Sequence, residues 1–217
     1  MINIDLLIKS LPNLLRGAFV SIQIAFLSCL IGITLGIIIG LMQSGNSRIL
    51  RILAGIYVTI FRGTPMLIQI LFAFYVLPQI GITIPAFWTA VITIGLNSGA
   101  YVSQIIKAGI KSVNKGQLEA AQVLGFSTLQ TTRYILLPQA IRTVIPALGN
   151  EFIILVKDSS LASVIPVVEL TKEGTRIISV TFDALTMYTG VAIIYLIMTS
   201  TLSLVLSKVE KRITQHV

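Results

Sequence analysis

The sequence predicts an all-α polytopic membrane protein of about five spans, organised as one domain over residues 1–217. Three observations lead there. Only 11% of the residues are charged and 55% are hydrophobic, whereas a soluble domain carries about 25% charge, so too little charge is present to cover a water-facing surface. The mean hydropathy is +0.93. Apolar runs of about 20 residues or more, the length that crosses a hydrocarbon core, recur between short polar or Gly/Pro-containing breaks.

The first run extends from about Gly17 to Met42 and ends at the turn Ser44-Gly45-Asn46-Ser47. It is too long for a signal-peptide core of about 7–15 residues, and no small-residue cleavage site follows, so a retained span is expected. The second runs from about Ile49 to Leu77, is interrupted by Arg62-Gly63-Thr64-Pro65, and closes at Pro78 and Gly81. The third covers about Ala86 to Ile110. A polar stretch, Lys111 to Arg133, precedes a fourth run that begins near Ile135 and fades at Lys157-Asp158. Pro138 and Pro146 make a bent or broken helix the expectation there. A less regular segment, Ser159 to Asp183, leads to the last span, about Tyr188 to Leu206.

Basic residues set the orientation. Arg48 and Arg51, then Lys107, Lys111, Lys115 and Arg133, then Lys208, Lys211 and Arg212 fall on one side of a five-span chain. The positive-inside rule makes that side cytoplasmic, with the N-terminus outside and the C-terminus inside; Lys9 and Arg16 run against the trend. The net charge of +8 is thereby accounted for at the membrane surface, and nucleic-acid binding is not expected. Cys29 is the single cysteine and forms no internal disulfide. His216 is the single histidine, in an exposed tail, so neither a Ser-His-acid triad nor a zinc site is expected.

Two spans carry small residues four apart: Gly32, Gly36 and Gly40, and Gly95, Gly99 and Ser103. Such stripes let helix backbones approach closely in lipid. Another face of the third span carries Asn97, Tyr101 and Gln104, with Ser98 beside them. It suits a pore wall or, alternatively, hydrogen bonds between helices. Glu151 sits inside the fourth run, as a counter-ion for a cationic substrate group or as a structural partner of a basic residue. Asp158, seven residues on, shares its side of the helix, and Lys157 neutralises either carboxylate or snorkels. The candidate substrate-binding residues are therefore Glu151, Asn97, Ser98, Tyr101 and Asp158. Arg62 reads as an interface anchor or as a residue that holds the pore.

The polar loop of about residues 112–138 carries the most local information. Gln117 to Leu124 is helix-compatible, with Glu119 placed in the first turn, where the macrodipole favours an acid. Gly125 occupies the position of a left-handed C-terminal cap. Ser127-x-x-Gln130 is a capping box that opens the next helix. A short capped helix outside the bilayer suits docking into a partner's groove; a helix-turn-helix packed on its own chain fits the same pattern.

The pattern Glu119-Ala120-Ala121-x-x-x-Gly125, nine residues, Ile135-x-Leu137-Pro138 resembles the EAA loop of the membrane subunits of ATP-binding-cassette (ABC) importers. Arg62-Gly63-Thr64-Pro65 with Gln69, Asn97-Ser98-x-x-Tyr101, Leu137-Pro138-Gln139-Ala140 and Leu148-Gly149-Asn150-Glu151 resemble its polar amino-acid branch, and the likeness runs from about residue 10 to the C-terminus. The resemblance implies a type I importer-like permease in a bacterial plasma membrane, paired with a second permease, identical or closely paralogous. It also implies an extracytoplasmic solute-binding protein and a cytoplasmic ATPase subunit gripping Glu119, Ala120, Ala121, Leu124, Gly125 and Phe126. This chain has no Gly-x-x-x-x-Gly-Lys-Ser/Thr loop to cradle phosphates, so no cofactor and no enzymatic activity are expected in it; ATP and Mg would be bound by the ATPase. Glu151 and Asp158 make a basic amino acid a plausible cargo, with glutamine, glutamate and cystine open. A secondary amino-acid transporter and a structural membrane subunit are the rival readings; the short chain and the lack of an inverted repeat weigh against the first.

Overall fold

The computed structural model describes residues 2–214; His216 lies outside them, as does the side chain of Arg212. The described residues form nine α-helices: α1 (Ile4–Ser44), α2 (Arg48–Gly63), α3 (Met66–Leu71), α4 (Ala86–Ser112), α5 (Lys115–Val123), α6 (Thr128–Thr131), α7 (Leu137–Asp158), α8 (Leu170–Thr181) and α9 (Ala184–Thr214), with no strand among the described residues. Four helical segments are long and apolar enough to span a membrane: α1, α4, the path Thr128–Val164 through α6 and α7, and α9. The fifth candidate is the α2–α3 pair, bent by 100°.

The first helix starts earlier than the hydropathy suggests, at Ile4 and not near Gly17. Asn3 caps it by accepting from the Leu6 amide, Asp5 sits in its first turn, and Pro12 is accommodated inside it. Charged residues such as Lys9 and Arg16 end an apolar window, but they do not interrupt a backbone ladder. At 1.5 Å per residue the helix is about 60 Å long, roughly twice a hydrocarbon core.

The bend between α2 and α3 follows from Pro65, which lacks an N–H and keeps Thr64 out of the helical region. Gln69 then satisfies the carbonyls that the break releases. Its Nε2 donates to the Phe61 carbonyl at 2.9 Å, the Thr64 carbonyl at 3.1 Å and Thr64 Oγ1 at 2.7 Å. Its Oε1 accepts from Asn97 Nδ2 at 3.0 Å, and the same amide reaches the Phe61 carbonyl. The kink is thus pinned to α4. Beyond α3 a π turn, Phe72–Val76, and a 3₁₀ turn, Leu77–Ile80, end at Gly81 with φ +88°.

The two glycine stripes meet. Gly32 and Gly36 of α1 pack on Ser98 and Val102 of α4, while Gly95 receives Ile31 in return. A Cβ at Gly36 would stand 2.3 Å from Val102 Cγ1 and 3.0 Å from the Ser103 amide nitrogen. Gly36→Val should therefore push the helices apart at a cost of about 1–3 kcal/mol, read as a clear fall in the thermal midpoint in detergent. An unchanged midpoint would contradict this packing.

The expected break at Pro138 and Pro146 is milder than a discontinuity. A π turn, Thr132–Leu136, precedes Pro138, and Pro146 lies inside an unbroken α7. The core under these helices includes Ile24, Ile94, Leu155 and Val156. Glu169, fully buried, caps α8 and ties it to its neighbours by accepting from the Thr171 and Lys172 amides, Ser21 Oγ of α1 and Tyr195 Oη of α9.

Packing sorts the loops to two ends. Gly40 meets Ile106, Gly109 meets Val144 and Gly149 meets Leu206, which gathers the 44–47 turn, the 113–136 loop and the end of α9. At the other end the Asn3 amide bonds Thr186 Oγ1 at 2.9 Å, and Gly17 abuts Glu169 and Leu170.

Candidate functional site

The bend in the second span opens a cleft of about 570 Å³ lined by the kink (Arg62, Thr64, Pro65, Met66), by α4 (Asn97, Ser98, Tyr101) and by α7 (Glu151, Ile154, Asp158). All five candidate substrate-binding residues are brought together here. Glu151 is 8% exposed and its Oε1 accepts from Ser98 Oγ at 2.8 Å. Each wall comes from a different helical segment, so Ser98 and Glu151, 53 positions apart in sequence, share one cavity.

Two alternatives left open by the sequence are narrowed here. Of the two readings of Arg62, the structure agrees with the one that puts it at the pore: beside the 100° bend it lines the cleft, where its guanidinium stands 5.1 Å from the centre of the Tyr101 ring. It makes no ion pair with Glu151 or Asp158; among the described residues the ion pair formed is Glu173–Arg176. The polar face of α4 is also divided. Asn97 reaches the cleft, but its amide donors are committed to Phe61 and Gln69, whereas Gln104 faces α1 and donates to Gln43 Oε1 at 3.0 Å. A cation on one element and two carboxylates on another complement a small dipolar molecule.

At the end of the molecule that carries the 113–136 loop, α5 turns one face to its own chain and leaves the other exposed. Asn114 caps it by accepting from the Gly116 amide at 2.8 Å. The helix therefore starts at Lys115, two residues before the sequence reading, and Glu119 falls in its second turn, leaving no acid in the first. Its far end closes as expected. Gly125 has φ +83°, the Phe126 amide donates to the Ala121 carbonyl and the Gly125 amide to the Gln122 carbonyl, both at 3.0 Å, the paired bonds of a Schellman motif. Ser127 and Gln130 exchange reciprocal bonds at 2.8 and 3.3 Å. Glu119, Ala120 and Gly125 are exposed, and Phe126 is partly so. Leu124 is 76% exposed, Val123 87% and Leu129 77%. Ala121 is only 2% exposed; it faces its own chain and is unavailable for contact with a partner. Leu129 was not singled out from the sequence, although an apolar residue within the capping box, in the first turn of α6, was a visible sign.

Residues 32–215 match the family of binding-protein-dependent transport system inner membrane components. The chain belongs to that family. Members similar to this permease include the glutamine transport system permease protein GlnP of Escherichia coli strain K12, 38% identical over 94% of both chains. Another is the L-cystine transport system permease protein TcyB of Bacillus subtilis strain 168, 41% identical over 95% of this chain and 88% of that one. A crystal structure of an amino acid ABC transporter with histidines superposes with a TM-score of 0.94 at 39% identity, covering 98% of this chain and 99% of its own. The MetNI methionine ABC transporter, at 20% identity and a TM-score of 0.76, shares the fold. This permease is thus a multi-pass inner-membrane protein of the ABC importer class.

Proposed function

We propose that this permease imports a polar amino acid, working with a second permease, a cytoplasmic ATPase and an extracytoplasmic binding protein. The observation that carries the reading is the pairing of two features in one helical bundle: a charged cleft between bent helices, and a capped apolar tip at one end. Arg48, Arg51, Lys107, Lys111, Lys115, Arg133, Lys208 and Lys211 cluster at the end that carries α5. At the other end Lys9, Arg16, Lys172 and Arg176 are offset by Asp5, Glu169, Glu173 and Asp183. The positive-inside rule puts the α5 end in the cytoplasm, the N-terminus outside, and the exposed tip where an ATPase can grip it. ATP and Mg belong to that ATPase, and this chain performs no chemistry of its own.

In the cleft, Arg62 suits the carboxylate of an amino acid and Glu151 and Asp158 suit its ammonium group. The surplus carboxylate favours a basic side chain, while the relatives named for glutamine and cystine support the wider polar class. Proteoliposomes holding the purified complex and binding protein provide the test, with arginine, lysine, histidine, glutamine, glutamate and cystine offered in turn. ATP alone should drive uptake; uptake driven by an ion gradient without ATP would replace this reading by a secondary transporter.

A further inference from the structure

A groove of about 370 Å³ separates α5 from the start of α7, and one side-chain amide crosses it. Gln139 Nε2 donates to Gln117 Oε1 of α5 at 2.7 Å and to the Ile135 carbonyl, inside the π turn, at 3.0 Å. Pro138 lacks an N–H, so the helical ladder is disturbed at this point, and π turns inside helices often mark functional positions. The Gln139 side chain thus grips the widened turn and the neighbouring helix together.

The other attachments of α5 are of different kinds. Ala121 packs inward through a single methyl group, and the chain leaves α5 through the left-handed turn at Gly125. An apolar contact resists compression, but it yields to separation once the gap opens by a fraction of an ångström. The Gln139–Gln117 bond adds a directional link across the groove.

We propose that Gln139 is a positioning residue that ties α5 to α7, so that movement imposed on α5 by an ATPase is delivered to the membrane helix bearing Glu151. The inference rests on the reading above, in which α5 is the docking helix. It assigns to the amide a role that neither docking nor substrate contact requires.

The test is the number of amino-acid molecules taken up per ATP hydrolysed, in proteoliposomes of the complete complex, with the cargo panel given above. Gln139→Leu retains size and helix propensity and removes both bonds. It should copurify with the ATPase as the unsubstituted chain does, while uptake per ATP falls about three- to tenfold, the range expected for losing the one bond that joins the two helices, to Gln117. Gln117→Leu, at an exposed position of α5, should give the same loss, and the double variant should be no worse than either single one. Gln117→Glu combined with Gln139→Lys restores a donor and an acceptor and should recover the ratio. An unchanged ratio in the single variants, additive losses in the double variant, no recovery in the paired one, or loss of copurification in Gln139→Leu would overturn the proposal. Failure of the docking reading would show differently: the unsubstituted chain would not copurify with an ATPase.

Discussion

Glu151→Gln is expected to lower amino-acid uptake roughly tenfold to a hundredfold, with the complex still assembled. The amide nearly matches the carboxylate in shape, and its oxygen can still accept from Ser98 Oγ, which lies 2.8 Å from Glu151 in the intact cleft. Packing on α4 is therefore kept. What disappears is the negative charge that the proposed function sets against a substrate ammonium group, on a side chain that is itself 8% exposed. Hydrogen bonds to charged groups contribute about 1.5–3 kcal/mol, and each 1.4 kcal/mol is tenfold in binding, which sets the expected range. Initial uptake rates over a concentration series measure it. Rates equal to those of the unsubstituted chain would remove Glu151 from the transport path and leave it a partner of Ser98 alone.

The other large effect is expected at the tip of α5. Leu124→Asp should abolish copurification with the ATPase and reduce ATP-driven uptake to background. The side chain is 76% exposed, so the substitution has little to disturb within this chain, and size-exclusion behaviour should be normal. In a docked interface the carboxylate would lose water without gaining a partner. Central apolar anchors of interfaces commonly account for 2 kcal/mol or more, about thirtyfold in affinity. Gly125→Val should act on the same property by a different route, because a β-branched residue at φ +83° is strained and the turn that aims Leu124 would shift. Persistent copurification of Leu124→Asp would show that the tip is not the docking surface.

Much of the loop around α5 was legible because its signals are local. A glycine at a helix end and a Ser-x-x-Gln box specify backbone geometry within a few residues, and the bonds at Phe126, Gly125, Ser127 and Gln130 follow. The glycine stripes were legible for a related reason: helical spacing fixes a face before any partner is known. What stayed open or was missed was whatever depends on the path of the chain in space. Arg62 could be assigned to the cleft only once the 100° bend was known. Gln104 shares a helical face with Tyr101, yet the proximity of α1 turns it to Gln43. The inward position of Ala121 depends on how α5 leans on its own chain. The early start of α1 was missed because hydropathy reports the lipid-facing stretch, whereas backbone hydrogen bonds carry the helix on past Arg16 and Lys9 to Ile4.

The measurement that bears most directly on the whole account is the accessibility of position 124 in membranes. With Cys29→Ser removing the native thiol, Leu124→Cys should react with a membrane-impermeant maleimide in inside-out vesicles and not in intact cells, and bound ATPase should block the reaction. Labelling from the outside, or labelling that the ATPase leaves untouched, would contradict both the orientation and the coupling role of α5.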